Sequence, residues 1–406
     1  MRILEINAVY GHGSTGTIVR DIEHLCFESG IECYVASPDP KVREAKHGYV
    51  IGNTLDHKLH ALLSRIHGKQ AYFSHIPTRN LLRWIDEIKP DIVHLHNLHS
   101  NYIHLTMLLQ YLAEKDIRTI ITLHDCWFYT GGCFHYTADG CKGWLDNCGV
   151  CPNGKGDPIG ILGKHTSRIL ADRKKYLLAI PRLILTGVSD WISDEARKTF
   201  LSKSNIVTVH NGVNMQIFKP TKSDFRKRLG LEGKYVILGP ASKWLLPVNK
   251  GVLTDFTKLM QSDEILLLFG VCSEAQKEYI SSLGLGDKIV SYGFTRDRKE
   301  LAQLYTMADV FANTTREDSL SLVNVEAQAC GTPVVTFDQT GPKETVDGVC
   351  SLHVQTGNAV AMYNAVSKAR ANTTEDTSDG CRRFIEDVFE VKDNYNKFIS
   401  IYKRFK

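Results

Sequence analysis

The chain has 406 residues, enough for two α/β cores of similar size rather than one. Its hydrophobic share of 43% and charged share of 23% are those of an ordinary globular protein, which excludes disordered and fibrous classes. With 49 Lys and Arg against 45 Asp and Glu, the net charge of +4 is too small to indicate nucleic acid, and no such partner is expected.

The sequence opens MRILEINAVYGHGSTG, with Arg2 and Glu5 inside the first apolar run and no small-residue cleavage site. A secretory signal is not expected, and no apolar run approaches the roughly 18 to 20 residues of a membrane span, so a cytoplasmic protein is the expectation. In that setting the eleven cysteines point to thiols or metal ligands rather than a disulfide framework.

Short apolar segments alternate with longer helical patterns, the mark of repeated βαβ units and parallel sheets. Strands are expected at 2–9, 32–37, 91–96, 119–124, 182–187 and 206–210, then at 235–240, 265–269, 288–292, 310–312, 333–337 and 351–354. HNGVNMQIFKP, residues 210–220, combines Asn-Gly turn chemistry with a closing proline and is read as the interdomain hinge. The expected domains are therefore 1–218 and 219–380, both Rossmann-like. Residues 381–406 read as a helix whose stripe of Phe384, Val388, Phe389, Tyr395, Phe398, Ile401 and Tyr402 packs back on the first domain.

Following the first strand, GHGSTG (11–16) places glycines where a backbone must approach a phosphate or sugar, with Gly13 and Ser14 at a helix start. Read literally it is a dinucleotide fingerprint, for which Asp39 is the only acid near the end of the second strand. The competing reading is a tight turn serving helix-sheet packing. Between Lys41 and Lys89 lie nine Lys or Arg, against three Asp or Glu beyond residue 45. Within that stretch, LDHKLHALLSRIHGK sets Leu55, Leu59, Leu62, Leu63 and Ile66 on one helical face, suited either to an anionic membrane surface or to packing on the domain.

HLHNLHS puts His94, His96 and His99 at a strand end, with His94 and His96 on one face. No neighbouring carboxylate argues for a metal there, so His96 and His99 are assigned to the acceptor side of a cleft. In ITLHDCW, His124 follows a buried strand and stands at the carboxyl edge of the sheet, where open α/β folds bind ligands. Immediately after it come Cys133, Cys141, Cys148 and Cys151, the last pair as C-x-x-C. A structural zinc held by the four would offset the entropy of ordering that loop, the rivals being a metal-free loop or a redox C-x-x-C.

In the second half, ASKWLLPVNKG presents Lys243 and Lys250 after its first strand, and SYGFT presents Gly293, Phe294 and Thr295 at a strand end. The stretch NTTREDSLSLVNVEAQACGTPVV then carries Glu317, Asp318, Ser319, Leu320, Ser321 and Leu322 into a helix that bears Glu326. A helix start offers N–H groups to an anion, and a carboxylate accepts two hydrogen bonds from a sugar diol.

DSLSLVNVE followed by AQACGTPVV resembles the paired-acid motif and A-x-x-C-G-x-P-V-V of the retaining glycosyltransferase family 4, whose B-type fold sets two Rossmann-like domains across a cleft. The usual first acid of that motif is Glu, where Asp318 stands here with Glu317 before it. The resemblance implies that Asp318 and the backbone of Ser319 to Leu322 hold donor sugar hydroxyls, Glu326 the ribose, and Lys243 and Lys250 the diphosphate. It further implies Phe294 near the nucleobase, unless that ring is core, Gly13 and Ser14 near the donor, and His124 facing the transferred sugar. The implied reaction moves a hexose from a UDP- or GDP-linked donor to a saccharide or lipid-linked saccharide, in surface polysaccharide assembly, without a catalytic metal and at the inner face of a membrane. A non-catalytic sugar-nucleotide binder and a nicotinamide enzyme are the rival readings.

Overall fold

A computed structural model describes residues 1–149, 151–152, 160–163, 165–284, 287–372 and 374–405. The chain forms two compact units, one of Met1–His210 joined by the chain from Tyr395 on, the other of Asn211–Asn394.

The first unit is built on seven parallel strands, β1 (Arg2–Ile6), β2 (Glu32–Ser37), β3 (Gly48–Val50), β4 (Ile92–Leu95), β5 (Arg118–Leu123), β6 (Leu183–Gly187) and β7 (Asn205–Thr208). Their order is β3-β2-β1-β4-β5-β6-β7. Ile92, Val93 and Leu95 of β4 and Ile120, Ile121 and Leu123 of β5 are fully buried, as a sheet covered by helices on both faces requires. Strand order reverses between β1 and β4, the switch point at whose carboxyl edge such sheets bind ligands. Sequence periodicity misses β3, a three-residue edge strand whose Gly48 passes so close to Val42 that a Cβ would lie 1.8 Å from its carbonyl oxygen.

Helix Gly13–Glu28 returns onto β1 through Gly16, where a Cβ would meet Val9 Cγ2 at 3.1 Å. Helix Thr54–His67 buries His60 and Ser64 and leaves Leu55, Leu59 and Leu62 75%, 54% and 54% exposed. Those three leucines therefore face solvent, while Leu63 and Ile66 of the same row are half-buried. Residues beyond 380 fall in two helices: Glu375–Phe389, which buries Cys381, Ile385 and Phe389 in the second unit, and Val391–Arg404. The latter buries Phe398 and Tyr402 in the first unit against His94.

The second unit carries six parallel strands, β8 (Tyr235–Pro240), β9 (Glu264–Phe269), β10 (Ile289–Gly293), β11 (Val310–Asn313), β12 (Val334–Phe337) and β13 (Leu352–Val354), in the order β10-β9-β8-β11-β12-β13. Its switch point lies between β8 and β11. Trp244 closes the turn after β8 by donating its indole N–H to Ala312 O at 2.8 Å, and only a glycine at 239 leaves room for that ring. Two parallel-sheet α/β units are thus what the alternating pattern demanded.

Candidate active site

In the first unit the switch point gathers a buried polar network. Glu5 of β1 is fully buried, with His96 Nε2 2.7 Å from Oε2, His94 Nδ1 3.2 Å from Oε1, and the Tyr402 hydroxyl donating to Oε1 at 2.9 Å. Burial alone would raise the Glu5 acid, but the charges and hydrogen bonds of His94 and His96 hold it well below the usual carboxylate range. Burial pushes His94 down to about 4, helped by the adjacent His96, so its imidazole is neutral near pH 7.

His124 closes this network. Its Nε2 lies 3.0 Å from His96 Nδ1, while its own Nδ1 is buried without a hydrogen-bond partner among the described residues. Burial, reinforced by His96 and His94, drives the His124 pKa well below its ordinary value, so the ring is uncharged. The Glu5 carboxylate can only accept, so His96 donates to it from Nε2; the uncharged His124 has one N–H and one lone pair to divide between His96 Nδ1 and a ligand hydroxyl at its own Nδ1. Nearby, His99 Nε2 lies 3.1 Å from Asp125 Oδ2 and its ring packs on Phe134.

The glycine turn stands at the same sheet edge. Gly13 and Ser14 are exposed at the start of their helix, and His12 supplies no side-chain cap. Asp39 is spent on the turn itself: Oδ2 lies 2.6 Å from His12 Nε2 and accepts Tyr10 N–H at 3.3 Å, and Oδ1 accepts Lys41 N–H. Both oxygens that a nicotinamide ribose would need are already engaged.

In the second unit the buried amide of Asn249 staples the loops that leave β8 and β11. Its Nδ2 donates to Lys243 O at 2.9 Å and to Thr314 O at 2.8 Å, and its Oδ1 accepts from Arg316 Nε at 2.7 Å. The lysine-bearing loop and the acidic loop are thereby tied at the switch point. Lys250 opens helix Lys250–Leu259, exposed, with Nζ 4.5 Å from the Tyr279 ring centre. Lys243 is half-buried on the turn before it.

The acidic loop is held in an uncommon backbone shape. Ser321 has φ 74° and Thr340 φ 56°, left-handed conformations that non-glycine residues adopt at a cost. Asp318 N–H donates to Thr340 Oγ1 at 3.3 Å, and Gly341 N–H donates to Asp318 O at 3.2 Å. A Cβ at Gly341 would sit 1.9 Å from Ser319 O. Ser321 then precedes helix Leu322–Ala329 without capping it, because its hydroxyl accepts from Asn313 Nδ2. Glu326, one turn into that helix, is set deep among protein atoms yet still reached by solvent. Burial lifts its carboxyl to about 7, against the opposing pull of Arg298 and of the Tyr305 hydroxyl, which donates to it at 3.1 Å. At the end of β10, Gly293 takes φ 96° and Phe294 is 63% exposed, which removes the core alternative for that ring. Thr295 donates its hydroxyl to Glu300.

Comparison with known proteins gives the same two halves. The family described as Glycosyltransferase Family 4 matches residues 16–217, and Glycosyl transferases group 1 matches residues 249–372. The chain belongs to glycosyltransferase family 4. Among curated relatives, this transferase is 21% identical over 85% of each chain to WcaC of Escherichia coli K12, assigned to colanic acid biosynthesis. It is 27% identical to D-inositol 3-phosphate glycosyltransferase of Mycobacteroides abscessus, over 61% of this chain and 59% of that one. A solved glycosyltransferase from Rickettsia africae shares the B-type fold with TM-score 0.71 and 17% identity, over 100% of this chain and 98% of that one. Anabaena HepE, solved with UDP and glucose, superposes with TM-score 0.66 and 17% identity over 99% of both chains.

Within the transferase, His96, expected to line the acceptor side, is fully buried with both nitrogens occupied, and it supports His124 instead. The carboxylate missing from the histidine reading is Glu5, 91 residues away in sequence from His96 and visible beforehand only as a charge inside an apolar strand. Glu5, His94 and His96 have ligand atoms within 4.8 Å of one another, but those atoms already satisfy each other, Tyr402 and Thr122. Asn249, Arg316 and Tyr305 were likewise missed. NTTRED did carry Arg316 beside the acids, and a cation there was a readable signal.

Proposed function

We propose that this transferase moves a hexose from a UDP- or GDP-linked donor to a saccharide or lipid-linked saccharide acceptor with retention of anomeric configuration, in surface polysaccharide assembly. The observation that carries the reading is the Asn249 staple, which joins the Lys243 to Lys250 loop to the acidic loop at one switch point. A departing nucleoside diphosphate develops charge on phosphate oxygens, and fixed cations stabilise it without a divalent metal. Lys250 and Lys243 supply that charge, with Arg316 a further cation at the same staple. The uncapped start of helix Leu322–Ala329, behind Asp318, offers N–H groups to the donor, and Glu326, once ionised, accepts the ribose diol. The exposed Phe294 stacks on the base. In the first unit His124 Nδ1 hydrogen-bonds a sugar hydroxyl, with Gly13 and Ser14 bordering the donor and His99 the acceptor.

Membrane contact belongs to the same reading. Leu55, Leu59 and Leu62 form an exposed row with exposed Lys58 and Arg65 beside it, which suits an anionic bilayer at the inner face. Among the described residues no helix is long and apolar enough to cross one.

The test is a panel of UDP- and GDP-hexoses scored for thermal stabilisation, then for nucleotide release with an acceptor in the presence of a divalent chelator, with product configuration assigned by NMR. Lys250→Ala is expected to lower turnover about 100-fold, the scale of one lost charge-stabilising contact. Stabilisation by donors with no transfer to any acceptor identifies a binder rather than an enzyme. Stabilisation by NAD alone overturns the proposal.

A further inference from the structure

Between β5 and helix Thr166–Leu178 the described chain contains only two short 3-10 turns, Trp127–Tyr129 and Gly143–Leu145. So long an irregular segment is costly to order without cross-links. Sulfur is concentrated in it. Cys133, Cys141, Cys148 and Cys151 all line a single cavity of about 20 Å³, with Tyr136 and Trp144 among its other walls. All four are thiols, and no nitrogen or oxygen atom faces the space. A buried water needs roughly 10 to 15 Å³ and two to four polar partners. This cavity has the room and lacks the partners. Four sulfurs around a dry space sized for one small particle are the donor set of a tetrahedral thiolate site.

We infer that Cys133, Cys141, Cys148 and Cys151 hold one structural zinc ion, a site independent of the transfer reaction. The surrounding backbone is arranged for it. Cys148 takes φ 53°, its N–H donates to Gly143 O at 2.8 Å, and its carbonyl accepts the Thr166 hydroxyl at 2.6 Å. Gly131 approaches so closely that a Cβ there would lie 3.0 Å from Cys148 Cβ. Cys141 is fixed at both ends, donating its N–H to Tyr136 O and accepting the Trp144 indole N–H at 3.0 Å.

Charge balance points the same way. Zinc releases the four thiol protons to solvent, and the resulting cluster carries two negative charges. Arg173 stands ready to balance them. It is buried, stacked 3.7 Å over the Trp127 ring, donates Nη1 to Thr130 O at 2.6 Å, and leaves Nε without a hydrogen-bond partner. Zinc–sulfur bonds of about 2.3 Å place tetrahedral sulfurs roughly 3.8 Å apart. The quartet is not among the described ligand groups already within 4.8 Å of one another, so the site as it stands is wider than a closed tetrahedral one.

The experiment uses the full chain purified without chelator or affinity metal. Elemental analysis is expected to find one zinc per chain, lost in Cys133→Ser and Cys148→Ser and kept in Cys272→Ser. Because the serine variants could fail to fold, the wild-type chain, reduced and stripped of metal, is also titrated with cobalt(II). A saturating one-to-one rise of sulfur-to-cobalt charge-transfer and tetrahedral visible bands supports the site. Absence of both stoichiometric zinc and the cobalt bands overturns it, as does iron in place of zinc or a Cys148–Cys151 disulfide in the isolated protein. None of these readouts depends on sugar transfer.

Discussion

Replacing Glu326 by Gln separates the stability role of that side chain from its proposed role in donor binding, because the two move in opposite directions. The carboxyl titrates at about 7 in the folded chain against 4.5 when exposed, chiefly through burial. A raised acid favours folding most when protonated, so stability from this group is full below pH 4.5, declines from there to about 7, and is lowest above. That shift corresponds to roughly 3 kcal/mol, and the solvent-exposed rim of Glu326 reduces the expected figure to about 2 kcal/mol. Glutamine keeps an oxygen for the Tyr305 hydroxyl and is neutral at every pH. Glu326→Gln is therefore expected to be more stable than the wild type by about 2 kcal/mol at pH 8 and indistinguishable from it near pH 3.5, about one unit below the exposed value, where the wild-type carboxyl is protonated in both states. Urea denaturation at the two pH values measures this, and calorimetric titration with the donor identified in the panel measures binding, expected to weaken at least tenfold at pH 8. A variant that is less stable at pH 8, or whose stability difference ignores pH, would show that Glu326 is not a strained, ligand-awaiting carboxylate.

Other expectations follow from the same geometry. Tyr402→Phe removes the hydroxyl shared by Glu5 and His94 and should cost about 1 to 3 kcal/mol in urea denaturation, the range for leaving buried polar atoms unpaired; an unchanged midpoint refutes the network. His60 and His94 titrate near 4 when folded and 6.5 when exposed, so the unfolded chain binds protons first as the pH falls. Their contribution should hold above pH 6.5 and drop steadily toward 4; measured in Glu326→Gln, where the opposing carboxyl is silent, a flat melting profile across that window counts against the neutral, buried imidazoles. Gly341→Ala drives a methyl into Ser319 O and should weaken donor binding at least tenfold, whereas equal donor affinity in variant and wild type would mean the acidic loop is not a binding element. His124→Ala is expected to lower turnover by about 100-fold with donor affinity little changed; a loss seen only in affinity contradicts a contact to the reacting sugar.

Much of the fold was readable because parallel strands buried on both faces leave continuous apolar runs, and glycine turns punctuate them. β3 was invisible since three edge residues carry no period. The leucines of Thr54–His67 showed amphipathicity but not which way the stripe turns, because buried His60 and Ser64 look polar in a sequence while their partners lie elsewhere. The candidate site divides on the same line. Lys250, Asp318, Glu326 and His124 stand in motifs where neighbours in sequence are neighbours in space. Asn249 meets Thr314 across 65 residues and Glu5 meets Tyr402 across 397, and no local spacing encodes such a meeting.

That distance between Glu5 and Tyr402 fixes an order of events during synthesis. The first strand is made some 20 to 80 s before the hydroxyl that satisfies its carboxylate, which follows 397 residues later at roughly 5 to 20 residues per second. Until then the nascent first unit has a charged group in its core and His94 short of a partner. The growing chain therefore cannot finish its histidine cluster before translation of the closing helix, and shortening that helix by a single turn should leave a protein with both sheets formed and its ligand-facing imidazole loosely held.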